Sequence, residues 1–95
     1  MPTEMNLNSQ VKVSKDVLFQ ELQGESVLLN LDTGIYLGLN QVGTRIWDLL
    51  QQNGSLAVVI EKLVEEYDAP REVLSKDLLT LVEQMRAHGL LTNGD

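Results

Sequence analysis

The order of the apolar patterns along the chain constrains its fold more than any other sequence feature. Before residue 40, three short segments are rich in strand formers and are separated by residues that favour tight turns. After residue 40, three segments repeat their apolar residues at helical spacing. Strands followed by helices are typical of an α+β domain, in which a small sheet buries one face against the helices.

The three predicted strands cover residues 17–22, 25–31 and 35–39. Gly24 and the sequence Asp32-Thr33-Gly34 predict the turns between them, because glycine adopts positive φ and aspartate favours a turn start. Alternation along the second strand separates one face with Val27, Leu29 and Leu31 from another with Leu28 and Asn30. The prediction is an antiparallel meander whose outer strands each keep an unpaired edge.

The three predicted helices have boundary signals. Asn40 is a candidate N-cap for the first helix, which runs to about residue 52, and Ser55 can cap the second. Pro70 suits the first turn of the third helix, and Gly89 suits the position just after its end. The residues of the third helix that are predicted to face the core are Leu74, Leu78, Leu81 and Met85.

The length of 95 residues and the apolar content of 43% predict a single domain with one modest core. We place this domain at residues 15–92 and assign residues 1–14 to a flexible N-terminal arm without structure. The chain has no cysteine, no basic and apolar start typical of a secretory signal, and no apolar run of membrane-spanning length. These features predict a cytoplasmic protein.

The net charge of −7, from 7 basic and 14 acidic residues, disfavours two classes of partner. Phosphate backbones and anionic lipid surfaces are both repelled by such a chain. The sequence therefore predicts neither nucleic acid nor membrane as a partner.

Catalytic and cofactor motifs are missing from the sequence. His88 is the single histidine and lies at the predicted end of the third helix, where capping explains it. Ser26 lacks the glycine-flanked turn of a hydrolase nucleophile, and the glycines form no phosphate-binding loop. We therefore expect no cofactor, no bound metal and no catalytic activity.

The segment from Val27 to Asn40, continued by Gly43 and by Ile46-Trp47, resembles the PqqD-like family, which is named for pyrroloquinoline quinone biosynthesis protein D. The shared pattern is Leu-Asn, a Thr-Gly turn, a tyrosine, a second Leu-Asn, then glycine and Ile-Trp. The likeness covers about residues 14–91. It implies a winged-helix-like fold of three strands and three helices, in agreement with the order of the apolar patterns.

The resemblance also implies a function and a site. Members of the family bind the leader of a ribosomally made precursor peptide and present it to a modifying enzyme such as a radical SAM protein, a cyclase or a protease. The leader adds as a strand beside the third strand and contacts the third helix. Carried over by position, the strand residues are Ile35, Tyr36, Leu37, Gly38 and Leu39, and the helix candidates are Leu78, Leu79, Val82, Met85 and Arg86.

Two parts of this site have a second interpretation. Helical spacing places Leu79, Val82 and Arg86 beside the buried stripe, where they line either a groove or a wider core. Gly38 interrupts a strand, so it marks either a bulge or close contact with the first helix, or a place where another backbone approaches the edge.

Two alternative functions use the same architecture. A DNA-binding winged helix fits the element order, but its recognition helix should be basic, and the third helix mixes Arg71, Lys76 and Arg86 with carboxylates. A structural or dimerisation module would use the same open edge to pair two copies of the chain. The oligomeric state expected from the sequence is a monomer or a weak dimer.

Overall fold

The computed structural model describes residues 6–93 and contains five strands and three helices. The strands are β1 (Val11–Val13), β2 (Val17–Leu22), β3 (Glu25–Asn30), β4 (Tyr36–Leu39) and β5 (Leu91–Asn93). The helices are α1 (Gln41–Gln52), α2 (Leu56–Glu66) and α3 (Arg71–Ala87).

β2, β3 and β4 form an antiparallel sheet with β3 in the centre. The outer edges of β2 and β4 therefore have no strand partner among the described residues. The prediction of an α+β fold, with a three-stranded antiparallel sheet followed by three helices, is confirmed.

The face of β3 that is buried carries polar residues. Ser26, Leu28 and Asn30 are buried against the helices, whereas Val27 remains 44% exposed on the outer face. The Ser26 hydroxyl hydrogen-bonds the Thr44 hydroxyl of α1 at 2.7 Å, which compensates for the burial of both groups. Polar residues therefore help to fix which face of the strand packs on the helices.

The prediction of an unstructured arm over residues 1–14 is wrong for β1. This strand pairs antiparallel with β5, Val11 opposite Asn93, and Val11 is buried in the core. The Val11 N–H donates to the Gly54 carbonyl at 2.9 Å, and a Cβ at Gly54 would lie 2.0 Å from the Val11 carbonyl oxygen. Residues 1–5 of the predicted arm lie outside the described residues.

The helices cover the inner face of the sheet and enclose one core. Asn40 caps α1 as predicted, since its Oδ1 accepts a hydrogen bond from the Gly43 N–H at 2.8 Å. Ser55 precedes α2, but its side chain makes no capping hydrogen bond. The largest fully buried side chains include Trp47 and Ile46 of α1, Leu56, Ile60 and Leu63 of α2, and Leu78 and Met85 of α3.

None of the helices within residues 6–93 is long and apolar enough to cross a membrane.

Candidate functional site

The free edge of β4 exposes the backbone of two residues. The Asn30 N–H donates to the Ile35 carbonyl at 2.8 Å, which places this pair in the hydrogen-bonded class of the antiparallel ladder. Because the classes alternate, Leu37 and Leu39 direct their N–H and C=O groups toward β3. Tyr36 and Gly38 therefore direct theirs toward the open edge.

Packing within the protein explains neither the large side chain of Tyr36 nor the lack of a side chain at Gly38. Tyr36 is 70% exposed, and a Cβ at Gly38 would meet no atom within 4 Å. The register of β4 with β3 is also continuous through Gly38. The interpretation of Gly38 as a bulge or a close contact with α1 is therefore wrong, and its alternative, space for an approaching backbone, stays a prediction.

A groove of about 580 Å³ lies between the end of β4, the start of α1 and one side of α3. Its apolar wall consists of Leu39, Val42, Ile46 and Leu81. Its polar lining includes Asn40, Lys76, Asp77, Thr80 and Gln84. Gly38 also lines this groove, so the open edge and the groove form one continuous surface.

The predicted strand residues occupy different positions around this surface. Ile35 precedes β4 and is 45% exposed, Leu37 is half-buried against the core, and Leu39 is buried at the groove. The structure therefore brings Gly38 and Leu39 to the groove, while Tyr36 lies on the same open edge.

The predicted contact residues of α3 lie in the core or away from the groove. Leu78, Val82 and Met85 are completely buried, so they belong to the core and do not line the groove. Residues two positions apart on a helix point about 200° apart, so Leu79 lies on the side opposite Leu81, which lines the groove. Arg86 is not among the groove residues either. The core stripe contains Val82 where the sequence predicted Leu81.

Sequence analysis missed Leu81, Gln84, Thr80 and Asp77 as groove residues. A stripe through Leu74, Leu78 and Met85 can include either residue 81 or residue 82, because both i+3 and i+4 spacings keep to one helix face. No local signal in the sequence distinguishes these alternatives.

Asn30 connects the two walls of the site. Its Oδ1 accepts hydrogen bonds from the N–H groups of Asp32 and Thr33, at 2.9 and 3.3 Å, in the turn before β4. Its Nδ2 donates to the carbonyls of His88 and Gly89, at 3.0 and 3.3 Å, at the end of α3. One buried side chain therefore fixes the turn that leads into the open edge relative to α3.

Replacing Asn30 by aspartate should destabilise the protein by about 2 kcal/mol, because two carbonyls lose their donor and face a carboxylate instead. The turn hydrogen bonds remain possible, since a carboxylate also accepts them. Chemical denaturation measures the change in the free energy of unfolding. Asp32→Asn, in the exposed turn that Asn30 holds, is the control, and an equal loss in both variants would contradict the assigned role of the amide.

Comparison with known proteins gave one family and two structural neighbours. The family model described as Coenzyme PQQ synthesis protein D (PqqD) matches residues 25–91. The structure "TbiB1 in Complex with the TbiA(beta) Leader Peptide" contains a chain with 32% identity and a TM-score of 0.80, matched over 88% of this chain and 98% of that chain. No curated protein sequence gave a significant match.

The second neighbour is "Lasso peptide synthetase B1 complexed with the leader peptide". It has 24% identity and a TM-score of 0.76, with 88% of this chain and 99% of that chain covered. At this identity the likeness concerns the fold alone.

Proposed function

This chain belongs to the PqqD family, and we propose from that premise that it binds the leader segment of a ribosomally made precursor peptide. The leader adds as a strand to β4. The observation that carries this proposal is the unpaired backbone of Tyr36 and Gly38, which lies beside the groove that Leu81 and Leu39 line. TbiB1, the neighbour with 32% identity, was solved in complex with a leader peptide.

The geometry supports recognition by strand addition. The N–H and C=O groups of Tyr36 and Gly38 offer up to four backbone hydrogen bonds to an added strand, whatever its sequence. Alternate side chains of that strand point toward the groove, where Val42, Ile46 and Leu81 favour apolar residues. Lys76 and Asp77 in the same groove favour a ligand that also carries charged or polar groups.

We further propose that the protein acts as an adaptor with no catalytic role. It would hold the leader by its backbone, while the rest of the precursor extends from the site toward a separate modifying enzyme. The modifying chemistry belongs to that enzyme, in pyrroloquinoline quinone synthesis or in the synthesis of another modified peptide.

The DNA-binding alternative gains no support. Two of the basic residues on α3 already form ion pairs, Arg71 with Glu61 at 2.7 Å and Arg86 with Glu83 at 3.6 Å. A phosphate backbone would therefore meet partly neutralised cations on an acidic protein.

Chemical-shift mapping tests the proposal with a synthetic leader peptide, chosen from precursor peptides sought among the genes that neighbour this chain's own. The amides of Tyr36 and Gly38 should move most, together with those of Leu81 and Gln84, because these residues form the edge and the groove wall. The exposed face of α2 around Val58 serves as the internal control. Shifts centred on α2, with β4 and α3 unchanged, would exclude the proposed site.

A further inference from the structure

The sheet has a second open edge, on the side opposite β4. The Leu31 N–H donates to the Asp16 carbonyl at 2.8 Å, so the alternating ladder directs the backbone groups of Leu18, Gln20 and Leu22 toward β3. The N–H and C=O groups of Phe19 and Glu21 therefore point away from the sheet. Within residues 6–93 no strand pairs with them.

A cleft of about 410 Å³ lies beside this edge, between β2 and α1. Phe19 and Trp47 supply its apolar part, while Glu21, Gln41, Thr44 and Asp48 supply polar groups. Open backbone next to a partly apolar cleft is the same combination that β4 and its groove provide on the other side of the sheet.

Trp47 lies beside the cleft with an unsatisfied indole N–H. Its side chain is 1% exposed, it lines the cleft, and its indole Nε1–H has no hydrogen-bond acceptor among the described residues. Buried donors in folded proteins almost always have an acceptor, and a carbonyl oxygen is the commonest one. Because the Nε1 atom is itself buried, a ligand in the cleft would reach this donor only if the indole or its neighbours moved.

The charges around the cleft favour a cationic ligand. Arg45 is already engaged, since it donates to both oxygens of Glu66, at 2.8 and 2.6 Å, and to Asp48. These hydrogen bonds hold the pKa of Glu66 below its usual range, so that carboxylate is charged at neutral pH. Glu21 and Asp48 line the cleft together with one guanidinium, that of Arg45, and the Glu66 carboxylate beyond them lies near Lys62, so the carboxylates exceed the cations by one.

We propose that this cleft is a second polypeptide-binding site, which takes an extended segment of a partner protein that carries lysine or arginine. The segment pairs with the backbone of Phe19 and Glu21 and places a cationic side chain near Glu21. A second copy of this chain fits less well, because its net charge of −7 opposes an acidic cleft. The two sites lie on opposite edges, so both can be occupied at once.

The test uses random seven-residue peptides displayed on phage, selected against the full-length protein and then synthesised. Trp47 is the only tryptophan in the chain, so its indole N–H gives a single NMR signal that reports on the cleft. Enriched peptides should carry lysine or arginine, and they should shift this signal together with the amides of Phe19 and Glu21. Saturation of β4 with a leader peptide should leave the affinity of these peptides unchanged.

Glu21→Lys should weaken the selected peptides at least tenfold, whereas Glu65→Lys, an equal charge change on the exposed side of α2, should change their affinity less than twofold. Thermal unfolding verifies that both variants fold.

The proposal is overturned if no peptide is enriched, if the indole signal does not move, or if both variants weaken binding equally. Light scattering that shows dimers disrupted by Glu21→Lys would instead assign the cleft to a second copy. Leader binding at β4 is measured separately and can fail or succeed independently.

Discussion

Replacing Gly38 by proline is expected to lower the affinity for the leader peptide about thirtyfold while leaving the protein folded. Proline removes the N–H that Gly38 presents at the open edge, and its ring occupies the space in which a partner strand must approach. A lost hydrogen bond together with an unsatisfied carbonyl on the peptide amounts to about 2 kcal/mol, which corresponds to about thirtyfold in affinity.

Leu37→Pro is the matched control for this experiment. Its N–H belongs to the ladder with β3, so its loss should lower the free energy of unfolding, whereas Gly38→Pro should change stability much less on an edge where a side chain has open space. Titration calorimetry measures leader affinity, and thermal unfolding measures stability. Wild-type affinity in Gly38→Pro would show that the leader does not pair with β4.

The sequence predicts the β3–β4 hairpin and the start of α1 well because the turn and capping residues bond to neighbours that are close in sequence. Asn30 holds the turn backbone, and the Thr33 hydroxyl accepts a hydrogen bond from the Ile35 N–H at 3.2 Å. Gly34 has a φ of +78°, which side-chain-bearing residues rarely adopt. Asn40 then caps α1. Each contact joins residues close in sequence, so the residue types alone indicate the structure.

Contacts between distant parts of the chain were not predictable in this way. The pairing of β1 with β5 joins residues 11–13 to residues 91–93, and neither three-residue segment has a pattern of its own. The turn motif also does not predict the second function of Asn30, in which its amide donates to a carbonyl at the end of α3. The open backbone groups of β4 became identifiable only once its register with β3 was known.

The sequence placed Leu81 in the core stripe of α3 and Val82 on its flank, whereas the structure places Val82 in the core and Leu81 at the groove. Two neighbouring substitutions test this arrangement. Val82→Asp places a charge in a completely buried position, so it should destabilise the protein by about 4 kcal/mol. That is a large fraction of the total stability of a natural domain, about 5–15 kcal/mol. Much of the variant should therefore be unfolded under mild denaturing conditions.

Leu81→Asp makes the same chemical change one residue earlier, on a half-buried side chain that lines the groove. A charge there stays accessible to water, so the expected loss of stability is only about 1 kcal/mol. Leader affinity should fall at least about tenfold, because the carboxylate replaces part of the apolar wall that receives the peptide. Denaturation curves and calorimetry on both variants separate the two effects. If Leu81→Asp instead unfolds the protein while Val82→Asp only weakens binding, then residue 82 faces the peptide and the core stripe runs through residue 81.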